Sequence, residues 1–272
     1  MPEFHSVSAG DMIPATVVST CCASYALPGG IVFATASLKK IQVLASTTND
    51  AHLVTAFLTV DEQERYQRFP YRKRQSQWLA GRIAAKAAVE KYRNKGRLPA
   101  NIDWQAWQVV ADEHGKPHII PSSDSHGMTV PEISLSHSGD LAIAMAAPYP
   151  CGIDIQKTTA TVTRVQRRFC SADEKKVLQE SSFLKKQNEV TRLTLLWAAK
   201  EAVRKAVAIS PLLGFKEIAL HAVVNETAGN VMMTLNANRP GVAPGTLMVC
   251  AMLYQDFAVA FTLSATNEDR VA

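Results

Sequence analysis

The sequence lacks several features that would place it in a special class of protein. The 272-residue chain contains no run of about 18 uninterrupted apolar residues, so we expect no membrane-spanning segment. Its N-terminus has no basic region leading into an apolar one, so we expect no signal peptide. The five cysteines form no C-x-x-C pair and no metal-binding spacing with histidine, which is typical of reduced thiols in a cytoplasmic protein.

Charge is also scarce, and its excess is small. Charged residues make up 19% of the chain and apolar residues 47%, which is a globular composition rather than a disordered or fibrous one. The formal net charge of +5 suits an anionic partner, but many ordinary enzymes share such a surplus. The length is sufficient for one large domain or two smaller ones, each with its own core. We therefore expect a globular enzyme.

Regular hydrophobic patterns begin after residue 30, and residues 1–30 stay unassigned. The stretch 61–92 predicts a helix that carries Trp78, Ile83 and Ala87 on one face and follows a capping pattern, TVDE, at residues 59–62. The remaining patterns predict, in chain order, a strand at 101–110, a turn at 112–117, a hairpin at 132–147, a strand at 151–156, a helix at 189–208 and further strands from 215 to 264.

The two halves of the chain resemble each other around their main helices. Residues 78–86 (WLAGRIAAK) align with residues 197–205 (WAAKEAVRK) at an offset of 119 positions, 197 minus 78. This alignment places Arg82 opposite Glu201 and Lys86 opposite Lys205. A similar capping pattern precedes each helix. The alignment indicates an internal duplication, with chance similarity of two Ala/Lys-rich helices as the alternative, and a duplication favours a site in the cleft between the halves.

One candidate metal ligand lies in a short strand of the second half, Gly152-Ile153-Asp154-Ile155-Gln156. A strand would place Asp154 and Gln156 on one face and the two isoleucines on the other. A carboxylate next to a side-chain amide oxygen is a suitable pair of ligands for a hard cation. The alternative is an aspartate that caps a turn at the end of the strand.

A second candidate lies in the helix at 189–208, where Trp197, Glu201 and Lys205 share one stripe. A carboxylate on the apolar side of a helix is unusual, because burying an unpaired charge is costly. The alternative is a surface ion pair between Glu201 and Lys205, worth about 0.2–0.5 kcal/mol.

Polar and basic residues of the first half could bind phosphate. Ser136 and His137 are adjacent on a predicted strand, so their side chains diverge, and no G-x-S-x-G motif supports a serine nucleophile. A histidine flanked by hydroxyls near a glycine can bind phosphate, although a lone histidine on a hairpin is more often structural. The helix at 61–92 carries a basic face with Arg65 and Arg82. Aromatic residues along that face leave nucleic-acid binding as an alternative.

The order and spacing of these motifs resemble those of the 4′-phosphopantetheinyl transferases. Gly-Ile-Asp-Ile is followed 47 residues later, 201 minus 154, by a Trp-x-x-Lys-Glu-x-x-x-Lys helix. The motifs at 115–117, 134–139 and 169–174, and the Gly-Arg pair at 81–82, are similar to earlier motifs of that family. The length and two-part organisation resemble the long, surfactin-synthetase-type class. The resemblance covers about residues 57–205 by motif and about 215–264 by strand pattern.

The resemblance implies an α/β (α+β) pseudodimer of two similar helix-plus-antiparallel-sheet subdomains, residues 31–148 and 149–272, with the site at their interface. It implies transfer of the 4′-phosphopantetheine arm of coenzyme A to a serine of an acidic acyl or peptidyl carrier protein, with Mg²⁺ as cofactor and 3′,5′-ADP as product. We expect a monomer without nucleic-acid or membrane partners. Another Mg²⁺-dependent phosphotransferase is an alternative that no P-loop or Rossmann pattern supports. The other alternative is a basic nucleic-acid-binding or non-catalytic scaffold protein.

The same resemblance assigns roles to individual residues. Asp154 and Glu201 are the expected metal ligands, with Gln156 in a place where many members have a third acid, so that its amide oxygen or a water completes the site. Glu201 is also expected to take the serine proton, and Lys205 to neutralise phosphate charge. Residues expected to contact coenzyme A are Arg65, Arg82, Lys86, Ser136 and His137 at a phosphate, Lys116 and Pro117 at the adenine, and Lys200 as an additional cation.

Overall fold

A computed structural model describes residues 13, 30–48, 50–122, 130–209, 211–227, 229–239 and 245–264. Apart from residues 13 and 30, the unassigned segment 1–30 lies outside the described residues. The chain forms two compact units that divide between Tyr149 and Pro150. In the described ranges no helix is long and apolar enough to cross a membrane.

The first unit contains a three-stranded antiparallel sheet in the order β1-β5-β4 and a separate hairpin of β2 and β3. Its elements are β1 (Val32–Ser37), α1 (Leu38–Thr48), α2 (Asp50–Phe57), α3 (Val60–Gln67), α4 (Arg72–Arg93), β2 (Trp107–Ala111), β3 (Pro117–Pro121), β4 (Glu132–Ser138) and β5 (Leu141–Ala147). Helix α4 packs on the three-stranded sheet, and its alanine-rich face allows a close approach because these side chains are small.

The second unit contains a five-stranded antiparallel sheet in the order β6-β10-β9-β8-β7. Its elements are β6 (Cys151–Lys157), α5 (Thr161–Val165), α6 (Ala172–Glu180), α7 (Glu189–Val207), β7 (Ile218–Thr227), β8 (Asn230–Ala237), β9 (Gly245–Tyr254) and β10 (Phe257–Leu263). Helix α7 packs along β6 and β10. The predicted architecture of two helix-plus-antiparallel-sheet subdomains is confirmed.

Most predicted elements are confirmed, but the helix at 61–92 is not continuous. Helix α3 ends at Gln67, and α4 begins at Arg72. Pro70 explains the break, since it has no backbone N–H to donate and disfavours a helical conformation at Phe69. The strand predicted at 101–110 is also shorter than expected, and in the structure it spans residues 107–111.

A buried lysine ties the helices of the first unit together. Lys86 is 0% exposed, and its Nζ donates to the carbonyl oxygens of Phe57 and Trp104 at 2.8 Å each and to Glu62 Oε2 at 2.5 Å. Glu62 Oε1 accepts the backbone N–H of Val109 at 2.9 Å. Burial lowers the pKa of Lys86, and Glu62 opposes that shift. All three ammonium donors are used inside the fold, so Lys86 has a structural role, and its contact with coenzyme A stays a prediction that this network disfavours.

The second unit repeats this network with other residues. Nζ of the buried Lys200 donates to the carbonyl oxygens of Phe169 at 2.5 Å and Phe215 at 3.1 Å, and lies 2.6 Å from Glu174 Oε1. Glu174 also accepts the backbone N–H of Leu220 at 2.8 Å. Both glutamates complete capping boxes, as predicted for residues 59–62 and 171–174. Lys200 therefore also has a structural role, and its contact with coenzyme A stays a prediction that this network disfavours.

These networks correct the alignment of the two halves. The matching lysines are Lys86 and Lys200, 114 positions apart (200 minus 86), so the predicted offset of 119 is wrong. In the corrected register Ala87 lies opposite Glu201, whereas Arg82 lies opposite Leu196. The internal duplication itself is supported, because each unit has the same glutamate–lysine pair and the same pattern of backbone acceptors.

Replacing Lys86 by methionine tests its structural role. The Lys86→Met substitution would leave the carboxylate of Glu62 buried without its ammonium partner, which costs about 3–5 kcal/mol of unfolding free energy. Urea denaturation followed by circular dichroism measures this loss. The control Lys73→Met, at an exposed position of the same helix, should change stability by less than about 0.5 kcal/mol. Equal stability of the two variants would contradict the structural role.

Candidate active site

Strand β6 lies in very close contact with helix α7. A Cβ atom placed on Gly152 would be 1.8 Å from the carbonyl oxygen of Ala202 and 2.8 Å from the backbone nitrogen of Ala206. Every residue other than glycine would therefore force the strand and the helix apart. Asp154 lies two residues along the strand, so its side chain points to the same face, toward α7.

Asp154 is buried at this contact and is hydrogen-bonded through both carboxylate oxygens. It is 2% exposed. Its Oδ1 accepts from Nζ of Lys205 at 2.8 Å, and the same Nζ donates to the carbonyl oxygen of Ile153 at 2.9 Å. Its Oδ2 accepts from Nε2 of Gln156 at 3.2 Å, which confirms that these two side chains share a face of the strand.

Glu201 lies on α7 one turn before Lys205. Its side chain is 20% exposed, and its Oε1 accepts from Nη1 of Arg204 at 2.8 Å. Burial raises the pKa of Glu201, the positive charge of Arg204 opposes this shift, and the negative charge of Asp154 adds to it. The two carboxylates therefore repel each other, and a cation bound near both would relieve that repulsion.

The donor set fits Mg²⁺. This ion binds through one or two carboxylates and completes its shell with waters and substrate phosphates. In the described ranges no group of three or more His, Cys, Asp or Glu side chains could hold a metal, so these residues offer two carboxylates, Asp154 and Glu201. Gln156 directs its amide nitrogen to Asp154, and a half-turn of that amide would offer its oxygen instead.

The first unit has alanine at both equivalent positions. Lys91 and Lys205 correspond, since each Nζ donates to a carbonyl of the first strand of its unit, at 3.1 Å and 2.9 Å. The next residue of the strand is Ala34 in the first unit and Asp154 in the second. Ala87 occupies the place of the second carboxylate. The duplicated fold thus carries the pair of acids in the second unit.

Arg82 is buried in the first unit without full hydrogen bonding. It is 8% exposed, its guanidinium carbon lies 4.3 Å from the ring centroid of Trp78, and its Nε lies 4.0 Å from Glu62 Oε1. Its Nε makes no hydrogen bond with any described residue. Burial lowers the pKa of Arg82 to about 10. A buried cationic N–H without a hydrogen-bond acceptor is a suitable binding group for a phosphate oxygen.

The other predicted binding residues also lie in the first unit. Arg65 is exposed on α3, and on β4 Ser136 is partly buried and His137 exposed. Lys116 precedes β3, and its Nζ lies 2.8 Å from Glu132 Oε2. Pro117 is the first residue of β3. Contacts of these five residues with coenzyme A stay predictions.

Sequence reasoning missed Arg204, which contacts Glu201 directly. The spacing of three residues on a helix is the available signal, because such neighbours often form ion pairs. That spacing alone predicts an ion pair between Glu201 and Arg204 on the helix surface, and it does not show which other groups the arginine binds.

Comparison with known proteins identifies the family. A model of the 4'-phosphopantetheinyl transferase superfamily matches residues 150–243. The holo-[acyl-carrier-protein] synthase of Halalkalibacterium halodurans is 36% identical over 107 residues, which cover 39% of this chain and 83% of that protein. The chain belongs to the 4′-phosphopantetheinyl transferase superfamily. The resemblance seen in the motifs is thereby confirmed.

Two further relatives of this transferase-family chain match over shorter parts of their length. The holo-[acyl-carrier-protein] synthase of Geobacillus kaustophilus is 41% identical over 87 residues, 32% of this chain and 64% of that protein. The 4'-phosphopantetheinyl transferase Sfp of Bacillus subtilis is 25% identical over 150 residues, 55% of this chain and 60% of that protein. In both cases the chain spans less than two thirds of the relative.

Adding a methyl group at Gly152 tests the close contact between β6 and α7. We expect Gly152→Ala to lower the thermal stability of the second unit, because the new Cβ would overlap the backbone of Ala202. Differential scanning calorimetry measures the effect. Gly81→Ala is the matched control, since no described atom outside the adjacent backbone of its own helix lies within 4 Å of its Cβ position and alanine favours a helix by about 0.8–1.0 kcal/mol. A stable Gly152→Ala protein would show that the contact is looser than described.

Proposed function

We propose that this protein transfers the 4′-phosphopantetheine arm of coenzyme A to a serine of an acyl or peptidyl carrier protein in an Mg²⁺-dependent reaction. The observation that carries the proposal is the pair of coupled carboxylates, Asp154 and Glu201, each with a basic partner on α7. Membership of the transferase superfamily supports it, as do relatives named as holo-[acyl-carrier-protein] synthases. The proposal includes a cytoplasmic monomer acting on an acidic carrier.

Asp154 and Glu201 would hold Mg²⁺ at the contact between β6 and α7. When bound, Mg²⁺ would neutralise negative charge on the pyrophosphate of coenzyme A. Gln156 has a neutral side chain, so it adds an amide oxygen or orients a water rather than supplying a third charge. The side chain of Lys205 is 29% exposed, which leaves it close enough to solvent to contact a phosphate oxygen.

The proposed reaction is a displacement at phosphorus. The carrier serine Oγ attacks the phosphorus that bears the pantetheine arm, and the bond from that phosphorus to the bridging oxygen breaks, so that 3′,5′-ADP leaves with the oxygen. Glu201 takes the proton of the serine hydroxyl, a step that typically contributes about 10²–10⁴-fold to the rate. Lys205 stabilises the charge that builds on the phosphoryl oxygens.

Arg82 would bind the 3′-phosphate of coenzyme A, supported by Ser136 and His137. Its buried Nε is suited to an anion, because an arginine makes charge-assisted hydrogen bonds to phosphate oxygens. Arg65 adds positive charge from the exposed face of α3.

Substitution of the metal-site residues tests the reaction. In an assay with coenzyme A, Mg²⁺ and apo carrier protein, Asp154→Asn and Glu201→Gln should lower the rate by roughly 10²–10⁴-fold. Gln156→Ala should cost little, because it removes no charge. Intact-mass spectrometry of the carrier detects the added phosphopantetheine. Equal losses in all three variants would contradict the two-carboxylate site, and no transfer by the unmodified protein to any carrier would contradict the function.

The role of Arg82 can be tested with two substrates. Arg82→Gln should raise the KM for coenzyme A about 10-fold, since a hydrogen bond to a charged group contributes about 1.5–3 kcal/mol. Its KM for dephospho-coenzyme A, which lacks the 3′-phosphate, should stay close to that of the unmodified protein. Arg68→Gln, at an exposed position, is the control. An equal rise for both substrates would place the phosphate elsewhere.

A further inference from the structure

The side chain of Arg204 connects Glu201 to the segment that follows α7. Nη1 of Arg204 donates to Glu201 Oε1 at 2.8 Å, and its Nε donates to the carbonyl oxygen of Leu213 at 2.7 Å. The guanidinium carbon lies 4.8 Å from the ring centroid of Phe215. The guanidinium is therefore held at two edges by hydrogen bonds and at one face by an aromatic ring.

The segment that holds Arg204 is itself fixed by a second arginine. Nε and Nη2 of Arg239 each donate to one carboxylate oxygen of Glu217 at 2.7 Å. The same guanidinium donates to the carbonyl oxygens of residues 211 and 212. Glu217 Oε2 also accepts the backbone N–H of Gly214 at 2.5 Å. Residues 211–217 thus form a braced segment, and the carbonyl that binds Arg204 has a defined position.

Glu201 needs such support because its side chain is long and partly exposed. A glutamate loses considerable rotamer entropy when it is held in one conformation. Of its two oxygens, Oε1 accepts the hydrogen bond from Arg204, and Oε2 accepts none from the described residues. The arrangement holds one oxygen in place and leaves the other without a hydrogen bond from the described residues.

We propose that Arg204 is a positioning residue, which fixes Glu201 against the braced segment 211–217 so that Oε2 is held ready for the cation and the serine proton. This proposal rests on the proposed function, since it concerns the same carboxylate. A simple surface ion pair at this spacing would contribute about 0.2–0.5 kcal/mol and would not depend on the segment. The hydrogen bond to Leu213 and the contact with Phe215 distinguish the proposed positioning role from a simple surface ion pair.

Two substitutions of Arg204 test whether the geometry of its guanidinium or only its positive charge matters for kcat. Arg204→Gln should lower kcat roughly 10- to 100-fold, because small misplacements of a reacting group have effects of that size, while the KM for coenzyme A stays within about threefold. Arg204→Lys should remain impaired, since one ammonium has no rigid fork that reaches both Glu201 and Leu213. Arg192→Gln is the matched control on the same helix, because Arg192 also binds a backbone carbonyl, and it should keep its kcat. Wild-type kcat in either Arg204 variant would overturn the proposal.

A double-mutant cycle tests the connection through the braced segment. Arg239→Gln should lower kcat in the unmodified protein and have little further effect in the Arg204→Gln background, since both changes release the same carboxylate. Multiplicative effects of the two substitutions would overturn the connection.

A measurement on the metal-free protein tests the role of Arg204 without the transfer assay. Hydrogen–deuterium exchange of the Gly214 and Glu217 amides, both hydrogen-bonded within the segment, should be roughly 10-fold faster in Arg204→Gln and unchanged in Arg192→Gln. Unchanged exchange in Arg204→Gln would overturn the proposal. If the unmodified protein transfers nothing to any carrier, the proposed function fails, whereas this exchange result still decides whether Arg204 and the segment 211–217 stabilise each other.

Discussion

The candidate site depends on the close backbone contact between β6 and α7 at Gly152. Because the strand approaches the helix with no side chain between them, the next inward residue, Asp154, lies directly against α7. There it meets Lys205, and it lies near enough to Glu201 to raise the pKa of that carboxyl. Two like charges in a partly buried place are unfavourable by themselves. Their arrangement is therefore one that a cation and a phosphate would stabilise.

The two units share a structural framework, and the acids of the candidate site are present in the second unit, where the first unit has alanine. Both retain a buried glutamate that caps a short helix and pairs with a lysine of the long helix. Such a pair is costly to break, because removal of either partner leaves a buried charge. The acids of the candidate site are not part of this framework. Alanine occupies their positions in the first unit, at Ala34 and Ala87, which shows that the framework folds without them.

Much of the fold and the central pair of acids could be predicted, whereas the roles of several basic residues could not. Capping patterns and alternating strands are local signals, and in the second unit they located β6, α7 and the strand region from 215 to 264 but not the short helices α5 and α6. Lys86 and Lys200 were assigned to ligand binding because a lysine in a helical pattern carries no information about what surrounds its ammonium group. The duplication was aligned in the wrong register because Trp78 with Trp197 and Lys86 with Lys205 coincide at an offset of 119, whereas the buried lysines with the same role, Lys86 and Lys200, are 114 positions apart. Identical letters in two Ala/Lys-rich helices cannot show which lysine ammonium is buried against a glutamate.

By itself, the sequence determined the family and the strand that carries Asp154 and Gln156, because motif order and residue periodicity are properties of the chain. The tertiary structure decided which cations are structural and how Arg204, the partner of Glu201, is held. The physical reason is that these features depend on partners distant in sequence. The acceptors of Lys86 lie in three separate segments, and the brace on Arg204 depends on Arg239, which lies beyond two further strands.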